Sequence, residues 1–139
     1  MGEPVKVFVA GCGYVGERIA KAEQRLGSKV SGVVRRPDRA ATLKGRGLSV
    51  VAHDLDQPQS DFDLSVTRAL VYYLIPPPQH GECDGRIRAW LNGLSDSALP
   101  LRVVLISTTG VYADCQGDWV NESRHVHPKA PPATRPVDA

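Results

Sequence analysis

Apolar residues in the first half of the chain come in short unbroken runs, with amphipathic or glycine-rich stretches between them. Residues 5–10, apolar but for Lys6, are such a run and lead directly into Gly11-Cys12-Gly13-Tyr14-Val15-Gly16. Val15, Ile19, Ala22 and Leu26 then recur at helical spacing. This pattern predicts a strand, a tight glycine turn and a helix that opens at the turn. Glu17 and Lys21 stand four apart and are expected to pair on the wet face, with Gly27 as the C-cap. Residues 29–35 read as a second strand, and Pro37 and Asp38 start a short helix that ends near Lys44, with Gly45 and Gly47 as breakers. Residues 48–52 and 69–75 read as third and fourth strands, the latter stopped by Pro76, Pro77 and Pro78. A helix over about 84–97 would put Ile87, Trp90, Leu91, Leu94 and Ala98 on one stripe. Pro100 precedes a fifth strand over 101–106.

Continuous apolar strands, in place of alternating ones, imply a parallel sheet covered by helices on both faces. The order strand, helix, strand, helix, strand predicts an α/β fold. It is a doubly wound, Rossmann-like parallel sheet of about five strands in the order 3-2-1-4-5, with right-handed crossovers and no C-terminal substrate lobe. In the linker 53–68, Asp54, Asp56, Asp61 and Asp63 with Pro58 argue against a full helix. Residues 1–127 are expected to form one dinucleotide-binding domain. Residues 128–139, rich in proline, are expected to form an extended or disordered tail.

Composition narrows the classes. At 139 residues, 42% hydrophobic and 23% charged, the chain matches one ordinary globular domain. A net charge of +2 is too small to argue for nucleic acid. No apolar run approaches the ~18 residues of a membrane span. Cys12, Cys83 and Cys115 are odd in number and scattered, which fits reduced thiols in a cytoplasmic protein.

Each residue of the glycine turn has a physical task. Gly11 permits the sharp turn, Gly13 has no Cβ to block a pyrophosphate, and Gly16 lets the helix pack close to the sheet. The helix N-terminus presents unpaired N–H groups to the anion. About 20 residues on, where an acid would accept from a ribose 2′-hydroxyl, the chain has Arg35 and Arg36, with no acid until Asp38. Two guanidiniums suit a 2′-phosphate, so NADP is expected, with NAD as the alternative. Ligands on such sheets bind beyond the carboxyl ends of the strands. The turn, Leu74-Ile75-Pro76 after strand four and Ser107-Thr108-Thr109 after strand five converge there. Asp54 and Leu55 follow strand three, beside the adenine or simply as a solvated acid and a satellite core residue. Cys12 reads as a small residue in a crowded turn and Trp90 as core. No metal site is expected. His125 and His127 point apart if extended, and no fourth ligand joins them and Cys115 at a regular spacing.

Together, the glycine turn, Asp54-Leu55 and Ile106-Ser107-Thr108-Thr109-Gly110-Val111-Tyr112 resemble an extended short-chain dehydrogenase/reductase of the NAD-dependent epimerase/dehydratase type. Gly117-Asp118-Trp119-Val120-Asn121-Glu122 followed by Pro128 extends the resemblance over nearly all of residues 4–128. The turn has one residue fewer between its first two glycines than the usual extended form, which implies an atypical branch. The resemblance implies that Thr108, with Ser107 as its neighbour, hydrogen-bonds a substrate oxygen. It also implies a Tyr-x-x-x-Lys pair for proton transfer, and these residues contain none: Tyr14, Tyr72, Tyr73 and Tyr112 have Arg18, Pro76, Pro77 and Gln116 four positions on. Three readings follow. The chain is the dinucleotide-binding part of an NAD(P)-dependent oxidoreductase or epimerase/dehydratase, a non-catalytic nucleotide-binding or redox-sensing module, or a sugar-nucleotide dehydrogenase. The implied partners are the dinucleotide and a small molecule such as a nucleotide sugar, with homo-oligomer formation left open. This chain alone is expected to bind cofactor without turnover.

Overall fold

The computed structural model describes residues 2–57, 66–78, 84–106 and 109–127. The chain divides into two compact units, Met1–Ile75 with Leu94–Ile106, and Pro76–Gly93 with Ser107–Ala139. The first unit carries the sheet. β1 (Lys6–Ala10), β2 (Lys29–Val34), β3 (Ser49–Ala52), β4 (Leu70–Tyr73) and β5 (Arg102–Leu105) lie in the order β3-β2-β1-β4-β5, every pair parallel. β1 is central, with Val9 opposite Gly32 on one side and Tyr72 on the other.

α1 (Tyr14–Arg25) and α2 (Pro37–Gly45) make the crossovers from β1 to β2 and from β2 to β3. Both step the same way across the sheet, so right-handed connections place both helices on one face. The alternate residues Val7, Val9, Val30, Val34 and Val50 point under them and pack with Ala20, Ala40, Leu43 and Leu48. Both helices end in the same device. Gly27 and Gly47 take positive φ (84° and 82°). The N–H of the next residue reaches back to the carbonyl of Glu23 or Leu43, at 3.0 and 3.1 Å. This Schellman geometry satisfies the last carbonyls of each helix.

The buried face of α1 differs from the predicted stripe. Gly16, Glu17 and Ala20 are buried, whereas Val15 and Leu26 are exposed and Ile19 is half-buried. The small residues win because they let the helix sit close to the strands. That rotates the larger apolar residues outward. The Glu17–Lys21 pair forms, but its carboxylate is buried and not on the wet face.

β5 also departs from expectation. Val104, Leu105 and Ile106 are 38%, 37% and 51% exposed, so this run is not covered on both faces as a central parallel strand would be. Its only strand partner among the described residues is β4.

In the second unit, α3 (Gly85–Asn92) starts where the Asp84 carboxylate accepts from the Ile87 N–H at 3.3 Å. It ends at Gly93, short of the predicted 84–97, because glycine is a poor helix residue. Leu94 lies beyond it, and Ala98 belongs to a separate 3-10 turn, Asp96–Ala98, in the first unit. Ile87 and Trp90 are buried, while Leu91 is exposed. A second 3-10 turn, Thr109–Tyr112, buries Val111, whose carbonyl accepts from the His127 N–H at 2.8 Å. Among the described residues, no helix is long and apolar enough to cross a membrane. The linker positions 58–65 and the tail 128–139 lie outside the described residues.

Candidate functional site

The carboxyl ends of the inner strands are tied together by backbone hydrogen bonds. The N–H groups of Gly11 and Cys12 both donate to the Val33 carbonyl, at 3.0 and 3.2 Å. The Leu74 N–H donates to Ala10, and the His53 N–H to Val34, each at 2.8 Å. The glycine turn, Leu74-Ile75 and the start of the His53-Asp54 segment therefore share one end of the sheet.

The three motif glycines are there for different reasons. Gly11 takes φ +88°, and a Cβ on it would lie 2.9 Å from Ile75 Cγ1 and 3.1 Å from the Ile75 nitrogen. A Cβ on Gly16 would lie 2.7 Å from the Gly11 carbonyl oxygen and 3.1 Å from Val9 Cγ1. Packing demands both. A Cβ on Gly13 would meet nothing within 4 Å. Gly13 is the N-cap of α1 and lacks a side chain to bond the first turn. The N–H groups of Tyr14, Val15 and Gly16 have no partner within the helix, because the first turn of any helix lacks them.

Around the turn, Cys12 is buried in the core and burial pushes its thiol pKa up, so it acts as a small packing residue. Tyr14 is exposed and carries the Arg18 guanidinium 3.5 Å above its ring. Arg35 is exposed at the end of β2. Arg36 is exposed as well and is paired with an acid two residues on. Its guanidinium grips Asp38, with Nε donating to Oδ1 at 3.0 Å, and the pairing lowers the Asp38 pKa. Asp54 is half-buried and its Oδ1 accepts from the Asp56 N–H at 3.1 Å, while Leu55 is half-buried beside it. Pro76 belongs to the second unit, is exposed, and accepts a 3.0 Å bond from Arg86 on its carbonyl. Ser107 and Thr108 lie outside the described residues.

Sequence reasoning missed the role of Glu17 and its cations. The Glu17 carboxylate is 7% exposed as a residue and accepts from Lys21 Nζ and Arg39 Nη2 at 2.8 Å. Arg46 Nη1 donates to both its oxygens, at 2.8 and 3.0 Å. The bonds from Lys21 and Arg46 lead in holding its pKa down at about 2, against the opposing effect of burial. Arg39 Nη2 also stands 3.5 Å from the Gly13 carbonyl. These side chains line a groove of about 670 Å3 along α1 and α2, which begins at Gly13 and Tyr14. A sign of it was legible: Arg39 and Arg46 are seven residues apart, which puts them on one side of α2 and its cap.

His125 and His127 do not point apart; their rings meet edge to face with centroids 4.6 Å apart. Among the described residues there is no group of three or more His, Cys, Asp or Glu placed to hold a metal.

No family model matches the chain, and no curated protein matches it in sequence. Solved structures do. A conserved protein of unknown function from Silicibacter pomeroyi DSS aligns with TM-score 0.71 and 24% identity, over 91% of this chain and 43% of its own. A candidate epimerase from Burkholderia cenocepacia J2315 aligns with TM-score 0.71 and 22% identity, over 95% of this chain and 47% of its own. A Lactobacillus casei protein aligns at 0.59 and 23%, over 78% and 51%. The chain therefore spans about half the length of these proteins or less. The likeness shows a shared doubly wound α/β fold.

Proposed function

We propose that this chain is the dinucleotide-binding part of an NAD(P)-dependent oxidoreductase or epimerase/dehydratase of the extended short-chain type, with NADP preferred. The observation that carries the reading is Gly13. Its neighbours Gly11 and Gly16 are glycine because the fold leaves no room, whereas Gly13 borders open space. A residue kept bare where the fold does not require it fits a ligand that comes close to the backbone. The residues fit a dinucleotide. The first-turn N–H groups of α1 would hold the pyrophosphate, Leu74 and Ile75 would wall the turn, and Asp54 and Leu55 would lie toward the adenosine. Arg35, with Arg36, would favour a phosphate on the ribose. The bound nicotinamide would supply hydride transfer.

Thr108, with Ser107, would hydrogen-bond a substrate oxygen, a role that suits an uncharged donor and acceptor. A hydroxyl is a poor acid or base near neutral pH, and these residues contain no Tyr-x-x-x-Lys. That supports a second reading, in which the chain binds nucleotide without catalysis. Cys12 gives a redox-sensing role no support, since burial disfavours its thiolate.

Calorimetry tests the reading. NADPH should bind the wild-type chain, and Gly13→Val should abolish binding. Equal affinity for the two proteins would overturn it. Replacing both Arg35 and Arg36 by Ala should weaken NADPH by about 1–3 kcal/mol and leave NADH nearly unchanged. Steady NADPH oxidation by the 139-residue chain, lost in Thr108→Ala, would show that this chain is catalytic by itself.

A further inference from the structure

The groove along α1 and α2 is built around one buried carboxylate and too many cations. Lys21, Arg39 and Arg46 all bond Glu17, so three positive charges face one negative charge and two are left unbalanced. Arg18 lines the same groove, with its guanidinium stacked on Tyr14. Each arginine spends only one nitrogen on Glu17, Nη2 of Arg39 and Nη1 of Arg46. A guanidinium has five N–H donors, so most remain available. Their side chains are 31% and 50% exposed, open to a ligand entering from solvent. Glu17 holds both forks in place, which lowers the ordering cost of gripping an anion.

We propose that this groove binds a phosphate monoester, with Arg39 and Arg46 as its ligands and Glu17 as the carboxylate that positions them. With Arg18, the groove's four cations outnumber its one carboxylate by three, enough to balance a phosphate dianion, and the planar fork of arginine matches its oxygens two at a time. A volume of about 670 Å3 is of small-molecule size. The phosphate has two possible sources: the 2′-phosphate of a dinucleotide seated at Gly13, or a separate phosphorylated small molecule. Only the first rests on the function proposed above.

The test is calorimetry with inorganic phosphate, 2′-AMP, NADH and NADPH. The proteins are the wild type, Arg39→Met, Arg46→Met and, as a control away from the groove, Arg25→Met. Inorganic phosphate and 2′-AMP should bind the wild type. Each groove variant should weaken 2′-AMP roughly tenfold or more, the range for a lost charge-assisted bond, and Arg25→Met should not. Arg39→Lys keeps a cation on Glu17 and should melt like the wild type, yet still lose affinity, because an ammonium has no fork. Loss of NADPH but not NADH affinity in Arg39→Met identifies the cofactor's phosphate as the ligand. Loss of 2′-AMP and inorganic phosphate affinity with NADPH unchanged identifies a separate phosphorylated molecule. If neither NADH nor NADPH binds the wild type but 2′-AMP binding depends on Arg39, the cofactor reading fails and this site stands. If the wild type binds neither inorganic phosphate nor 2′-AMP at millimolar concentration, or Arg39→Met and Arg46→Met bind 2′-AMP as the wild type does, the proposal is overturned.

Discussion

β1 and β5 are both short apolar runs in one parallel sheet, and they differ almost completely in burial. Val9 in β1 is inaccessible to solvent, flanked by β2 and β4 and roofed by α1. Val104 in β5 keeps more than a third of its surface, with a strand on one side only among the described residues. A run of valines therefore says that a segment will extend and pair. How deep it sits depends on its neighbours, so the two regions should respond differently to the same change.

The largest difference is expected at the glycine turn. Gly16→Val would drive a branched side chain into the Gly11 carbonyl and Val9, and should destabilise the protein by about 3 kcal/mol in chemical denaturation. Gly13→Val, three residues away, enters open space and should cost about 1 kcal/mol or less, mainly as a poorer N-cap. Comparable losses in the two variants would mean that the turn is packed differently from the geometry described here.

Next comes one substitution made in both regions. Leu43→Ala empties a fully buried position on the inner face of α2 and should cost about 3 kcal/mol. Leu105→Ala on β5 should cost about 1 kcal/mol or less, since its side chain is partly in water already. If the two midpoints shift equally, β5 is covered in solution.

A smaller effect appears with pH. The Glu17 carboxyl is held at about 2 in the folded chain, against an ordinary 4.5. Its folded pKa is depressed, so its contribution to stability is fully present above 4.5 and is lost as pH falls from 4.5 toward 2. Glu17→Gln should flatten that part of the stability curve, whereas Glu122→Gln should leave it in place. An unchanged acid limb in Glu17→Gln would show that the three cations do not hold the carboxylate in solution.

The smallest expected change concerns association. The exposed Val104, Leu105 and Ile106, on a strand with one strand partner among the described residues, should favour self-association at high concentration. Val104→Lys should shift sedimentation toward monomer with little change in the melt. An unshifted distribution would place the contact elsewhere.

The sheet was legible because each of its causes is local. Unbroken apolar runs, glycine and proline stops, and helical spacing between strands are read within a window of ten residues, and together they imply the order 3-2-1-4-5. The Schellman ends at Gly27 and Gly47 belong to the same class, since only a bare residue takes that backbone turn cheaply. The rotation of α1 was not legible, because a hydrophobic stripe records apolar residues but not how close the helix can approach its sheet. Gly16 and Ala20 decided that face. Arg36 shows the same limit, since its position at the end of β2 does not reveal that its guanidinium bonds Asp38. Glu17 and its distant cations mark the boundary most clearly. Lys21 is one helical turn away and could be paired from the sequence, but Arg39 and Arg46 meet Glu17 only after two crossovers lay α2 beside α1. Charge pairs that span 22 and 29 residues are made by the tertiary fold, because only there do the side chains come within hydrogen-bond reach.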